Sequence, residues 1–515
     1  MYTKEVKNTI IILFSMILFA ILLCRAFRSH HANDSYDFME KCMGIPVISE
    51  EQFSKMAKKS VDLDHIACLE GKLTPYDRNS KRIYISCDAA EAAEFYKIPG
   101  QISSDYPGYE LFFIKEDSFE NMPEAIQKGH EFPLAAVSAT GHYCVYHVIF
   151  TTLPVVEIHG ANTRIDERDR DIYCGEINVW NQSGEEGDAV TTSRLEWKVR
   201  GNTAMVFPKK SYKLSLKDKK GQKKNASFLG MESDDDYILN PMWLDDLKVR
   251  EKLAISLWNE IAEERNSNLR MSNAEYCELI INGEYCGLYL LQNRIEKKSL
   301  KLDESDILFK GNNIDPTEEN TSEDVFEIIY SEKNVEDTYR AMDSFLHKTD
   351  FSNVDLENWT DLQLFLHLGD MNDNRRYKNM YYVIEEQDGR QTLRFVPWDT
   401  DMSFGIAWSD GFAYIPESFE EIYNRVEYDK ILEQYPELEA MLAERWKILR
   451  GTVFSEEHLS CIIDSCDKEL KDSGALDRDF EVFGHKAWNG QDTRENLEIY
   501  IRKRLEVLDQ KYGLL

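Results

Sequence analysis

The chain has 515 residues, 43% hydrophobic and 12% aromatic, enough apolar surface for two or three folded domains rather than wholesale disorder. Asp and Glu outnumber Lys and Arg by 93 to 61, for a formal net charge of −32, which excludes bulk binding to nucleic acid because phosphate backbones need a basic surface. Ten cysteines with no C-x-x-C pair exclude a dense disulfide scaffold and a zinc ribbon; only Cys277 and Cys286, flanking one predicted hairpin, leave an optional disulfide open.

Lys4 and Lys7 precede an uncharged run of 16 residues, Thr9 to Cys24, closed by Arg25 and Arg28. That length falls between a signal-peptide core and a full membrane span of about 20 residues. No small-x-small cleavage site follows, and Leu23 is too bulky for a good lipoprotein signal before Cys24. Residues 1–28 therefore read first as an uncleaved signal anchor holding the chain to a membrane, and second as a cleaved export signal. Either reading puts the rest outside the cytoplasm.

Residues 38–150 mix short helical and strand signals: EEQFSKMAKKS is helical, and KRIYISC, YELFFIK and HYCVYHVIF are strand-like. This stretch is expected to be an accessory β-rich domain, with His142 and His147 as strand-surface or packed residues. Residues 151–410 carry the sharper signals. LPVVEIHG and YCGEINVWN are strands, and LEWKVRGNTAMVFPKKSYKLSLKD forms two strands around a turn. Leu253, Leu257 and Ile261, with Ala254 and Trp258, make one apolar helical stripe. EYCELIINGEYCGLYLLQNRI is a hairpin, because Asn282-Gly283 suits the positive φ angles of a two-residue turn. NWTDLQLFLHLGD is an amphipathic helix, and NMYYVI and TLRFVPWD pair around Asp388-Gly389. Residues 411–515 read as a helical C-terminal subdomain. Strands first and helices later predict an α+β fold in two lobes.

Three segments carry chemistry. In KKSYKLSL, Lys210 shares the parity of Tyr212, Leu214 and Leu216. A lysine on the apolar side of a strand is costly unless it meets an anion, such as a nucleotide phosphate, or snorkels to water. Arg200-Gly201-Asn202-Thr203 sits just before it and could form a phosphate-binding turn. The polar loop DMNDNRRYKN joins a helix to a strand, placing Asp373 and then Asn379 where catalytic residues are commonly held. In VPWDTDMSFG, Asp399 and Asp401 end a strand two residues apart. Carboxylates that converge repel one another unless a cation lies between them, and Mg²⁺ prefers such oxygens. The Asp388-Gly389 hairpin brings Asn379 and Asp399 back to one end.

Taken in order, RGNT, FPKKSYKLSL, FLGM, DDDYILN, LKVREKLAISLW, ELIINGEYCGLYLL, DMNDNRRYKNMYYV and VPWDTDMSFG resemble the successive motifs of the CotH (spore coat protein H-type) kinase family. The resemblance runs from about Leu153 to Gly405. It implies an atypical protein-kinase-like fold that transfers phosphate from ATP to protein serine (or threonine), using Mg²⁺ or Mn²⁺. By position it implies Lys210, with Lys209 as rival, on the nucleotide phosphates, where the turn read above would add Arg200 and Asn202. It further implies Asp373 as catalytic aspartate, with Asp370 as its nearest rival, and Asn379, Asp399 and Asp401 on metal. Arg250 would take a structural or phosphate-facing role. Ala204-Met205 and Gln292-Asn293 depart from the family pattern. They keep open a non-catalytic envelope or spore-coat protein with a degenerate fold; transfer of AMP through the same metal site is the other alternative. The expected partner is a protein bearing an acceptor serine, with no oligomeric state specified.

Overall fold

The computed structural model describes residues 36, 39–40, 43–69, 71–87, 102–116, 121–160, 171–181, 190–201, 203–312, 320–343, 345, 351–371, 373–374, 377–406, 428–484 and 490–514. The expected anchor, Thr9 to Cys24, and Asn202 lie outside the described residues. Among the described residues no helix is long and apolar enough to cross a membrane.

The molecule is α+β. Its centre is a closed barrel of the strands Val155–Gly160, Tyr173–Trp180, Val190–Arg200, Ser211–Lys217, Asp236–Asn240, Ala274–Ile281 and Glu284–Asn293. Side chains alternate across each strand, so Leu195, Trp197, Val199, Tyr212, Leu214 and Leu216 fill the interior. Lys198, Lys213 and Ser215 share the opposite parity and are only half-buried, on the outer face. Closure removes the sheet edges that would otherwise invite another chain to pair. The Asn282-Gly283 turn sits at φ +52° and +75°, as its hairpin requires.

Helix Arg250–Glu264 packs its Leu253, Leu257, Trp258 and Ile261 against the outside of the barrel and against helix Leu356–Gly369, where the Trp258 and Phe365 rings lie 5.4 Å apart. That second helix is capped by Asp355, whose carboxylate accepts the N–H groups of Glu357 and Asn358. It covers a four-stranded sheet ordered Phe326–Tyr330, Ile307–Gly311, Met380–Gln387 and Arg390–Pro397. Asp388 and Gly389, at φ +52° and +75°, close its last hairpin. Helices Leu438–Arg450, Glu456–Ser473 and Arg494–Lys511 complete this second core.

Ahead of the barrel lies a β-rich region between Val47 and Thr151, built around a seven-stranded sheet and a smaller three-stranded one. Its core is continuous with one outer face of the barrel, joining Ile83, Tyr84 and Phe150 to Val155, Trp180, Ile280 and Tyr285. Cys277 and Cys286 are not bridged to one another. A bulge between Leu279 and Ile280 sets Cys277 opposite Tyr289, so the optional disulfide does not form.

Candidate active site

The site is assembled by the last hairpin. Met380 pairs with Pro397, and one step further the Trp398 N–H donates to the Asn379 carbonyl at 3.0 Å. Asn379 and Asp399 are therefore neighbours at one end of the sheet, as their spacing about Asp388-Gly389 requires. Buried Asn374 fastens the end: its amide donates to the Asn379 carbonyl at 2.9 Å and to the Trp398 carbonyl at 2.7 Å. Asp370, Asn379, Asp399 and Phe404 all adopt positive φ, at +47°, +55°, +57° and +47°. Such conformations persist in non-glycine residues only where surrounding contacts over-determine them, and they gather at functional sites.

Asp373 lies beside this end. Its Oδ2 accepts the Asn379 amide at 2.8 Å, and its Oδ1 is ion-paired to the Lys378 ammonium. Asp370, the rival aspartate, is a buried C-cap facing Arg504 at 3.6 Å. Through Arg504 it is tied to the helical tail. Burial, then the negative charges of Asp399, Glu251 and Asp373, push the Asp401 carboxyl well above the usual carboxylate range. Burial, then Asp399, push the Glu251 carboxyl up to about 7.

Beside this end lies the outer face of the barrel. Arg200 stands 5.8 Å above the Trp398 ring, next to Asp399. Lys310 has its pKa lowered, first by burial and then by Arg200, against the pull of Asp399. Asp236 accepts from Ser215 and pairs with Lys213 at 3.1 Å and Arg294 at 3.0 Å; Arg294 also holds Glu296 at 3.0 Å. Arg200, Lys213, Arg294 and Lys310 thus face a group of acids.

The two lysines singled out from sequence have other partners. The Lys209 ammonium is fully buried, 2.6 Å from Asp479 and bonded to the Leu288 carbonyl. Lys210 donates to the carbonyls of Met205 and Phe207 at 2.9 and 2.6 Å, fastening the Thr203–Val206 turn. Arg250 is fully buried between Asp245 and Asp492, with its Nε on the Phe404 carbonyl at 3.3 Å; of its two expected roles this is the structural one. Lys213, Arg294, Lys310 and Glu251 were not singled out from sequence. Lys213 was legible as the lysine on the wetter strand face, whereas the others come from distant segments.

The donor set suits a hard divalent cation. Asp399, Asp401 and the side-chain carbonyl oxygen of Asn379 are oxygen donors, and the crowding of buried Asp401 by Asp399, Glu251 and Asp373 is what a cation would relieve. Among the described residues, the acids whose ligand atoms all fall within 4.8 Å are instead Asp234, Asp235 and Glu296, and these already face Lys223, Lys298 and Arg294. Asp399 and Asp401 offer two carboxylates, a number suited to an ion completed by substrate phosphates and water. Residues 197–508 match the model of the CotH kinase protein family. Comparison with curated proteins returns no match.

Proposed function

Because the chain belongs to the CotH kinase protein family, we propose that it is a phosphotransferase moving the γ-phosphoryl group of ATP to a serine (or threonine) hydroxyl of a protein. The observation that carries this reading is the register-forced meeting of Asn379 and Asp399 beside Asp373, with Asp401 near enough to feel both acids and Arg200 and Lys310 close to Asp399. In a chain of net charge −32, Arg200, Lys213, Arg294 and Lys310 gather beside these acids, where they would offset charge on a bound phosphate. Phosphoryl transfer rests largely on positioning and charge neutralisation, and these residues supply both.

Asp373, held by Asn379 and Lys378, accepts the proton of the attacking hydroxyl. The hydroxyl oxygen forms a bond to the γ-phosphorus as the bridging P–O bond breaks, and ADP leaves. Mg²⁺ or Mn²⁺ held by Asn379, Asp399 and Asp401 would offset charge on the phosphate oxygens. Lys213 and Arg200 face the phosphates from the barrel side, while Lys210 keeps the Arg200 turn closed from behind. The protein acts outside the cytoplasm, tethered to a membrane by residues 1–28.

The test is incorporation of label from γ-labelled ATP into a serine-containing acceptor, or into the chain itself, with Mg²⁺ or Mn²⁺. Asp373→Asn and Asp399→Asn are expected to lower the rate by about 10²-fold or more without loss of folding. A folded wild type that incorporates no label would sink the reading. Label appearing only from α-labelled ATP would replace it with AMP transfer.

A further inference from the structure

We propose that Glu251 is a positioning residue for the Asp399–Asp401 turn, holding it from the barrel side of the cleft; this rests on the phosphotransferase reading above. Glu251 stands in the first turn of helix Arg250–Glu264 and is 2% exposed. Its Oε2 accepts both the backbone N–H and the hydroxyl of Thr400, each at 2.9 Å. Its Oε1 accepts the Gln292 amide at 3.2 Å.

Thr400 separates the two aspartates and is fully buried. Its carbonyl accepts the Ser403 hydroxyl at 2.7 Å. Every polar group of Thr400 is therefore engaged, and Glu251 takes two of the three. The residue before it, Asp399, sits at φ +57°, which needs outside restraint in a non-glycine residue. Gln292 extends the restraint to the end of the barrel strand Glu284–Asn293. Helix, barrel strand and metal turn thus meet on one carboxylate. A carboxylate sealed among other acids works against stability, so what Glu251 contributes is geometry.

The Gln292 carbonyl oxygen is buried without a hydrogen-bond partner, so its amide can turn over. In Glu251→Gln the new amide would keep both bonds to Thr400 through its oxygen, and a reversed Gln292 would accept its N–H. Glu251→Ala has no such recourse.

The experiment titrates Mn²⁺ into the full chain and reads free Mn²⁺ by electron paramagnetic resonance, with thermal unfolding as the control for folding. Glu251→Ala is expected to weaken Mn²⁺ binding by about 10- to 100-fold, the usual effect of removing a residue that orients ligands. Glu251→Gln is expected to stay within about 3-fold of wild type, because two of its hydrogen bonds survive and the third re-forms. Thr400→Val, which cuts the same link from the other side should Glu251→Ala not fold, is expected to fall between wild type and the alanine variant. A folded Glu251→Ala or Thr400→Val that binds Mn²⁺ like wild type would overturn the proposal. So would a Glu251→Gln as weak as the alanine variant, since charge and not hydrogen-bond geometry would then be at work. Wild type that binds Mn²⁺ but transfers no phosphate would defeat the phosphotransferase reading and leave Glu251 testable; wild type that binds no Mn²⁺ would defeat both.

Discussion

Asp236 lies on the outer face of the barrel with its carboxylate 3% exposed, between Lys213, Arg294 and the Ser215 hydroxyl. Burial opposes its charge, but Ser215, Lys213 and Arg294 outweigh burial and hold the carboxyl down at about 2, from an ordinary 3.8. The sign follows from linkage: a depressed carboxylate stabilises the fold above its unfolded pKa, and that contribution is lost as pH falls through the folded value. The pair is worth about 2 kcal/mol at pH 6 and about 1 kcal/mol at pH 3. Urea unfolding of wild type and Asp236→Asn at both pH values measures it. The stability gap should narrow by about half from pH 6 to pH 3; a gap that holds constant would mean Asp236 is not depressed. Asp401 has the opposite sign, its neutral form being favoured first by burial and then by three nearby acids. The chain therefore holds one carboxylate locked in its charged form and another waiting for a counter-charge.

Elements decide which residues can meet. Both two-residue turns were legible because Asn-Gly and Asp-Gly are the residues that accept positive φ, and the second turn fixes the register that joins Asn379 to Asp399. Local pattern could go no further. Lys210 was placed by strand parity, but the apolar side of its strand is the interior of a closed barrel, filled by Trp197, Tyr212 and Tyr289. Closure is a property of seven strands together, and no single strand announces it. Glu251 and Thr400 are 149 positions apart, and Lys209 and Asp479 are 270 apart, so neither pair leaves a signal in local spacing. The second pair shows what helix Ala475–Phe483 does. Asp479 leans over Gly287, where a Cβ would come within 2.2 Å of its Oδ1. It accepts the Leu288 N–H at 3.0 Å and faces Lys209 at 2.6 Å and Lys248 at 3.7 Å, all side chains fully buried. Asp479→Ala leaves two buried ammonium groups short of a counter-charge and should cost about 3–5 kcal/mol by chemical denaturation. Replacing Lys209 by Met and Asp479 by Leu together should cost less than the two single changes summed, because no charge of that pair is then stranded. Additive losses would show that the two side chains do not act as a pair.

Across the whole molecule, the accessory region is joined to the barrel through a shared apolar core, with Tyr84 stacked on Tyr285 at 4.8 Å. The same region reaches the helical tail through Arg82–Glu481 at 3.2 Å and Gln127–Asp472 at 2.9 Å, so three parts of the chain brace one another. The seam also contains charge. Glu157, 1% exposed on a barrel strand, faces His159 at 3.0 Å and bears electrostatically on His65 of the accessory region. The Glu157 carboxylate beside it outweighs burial and raises the His159 pKa above its usual 6.5. Burial lowers that of His65. The two histidines pull in opposite directions. His159 stabilises the fold fully below pH 6.5, and its contribution is lost as pH rises through its raised folded value. His65 prefers to be neutral, and its burial becomes easier over the same rise. His159→Gln separates them by removing one titration and leaving the other. Hydrogen exchange over Val155–Gly160 should quicken in wild type relative to the variant as pH rises from 6 to 8.5, after correction for intrinsic exchange. Parallel pH profiles for the two proteins would show that the Glu157–His159 pair does not tie this strand down. If the profiles diverge, raising the pH loosens the barrel strand on which the accessory region rests.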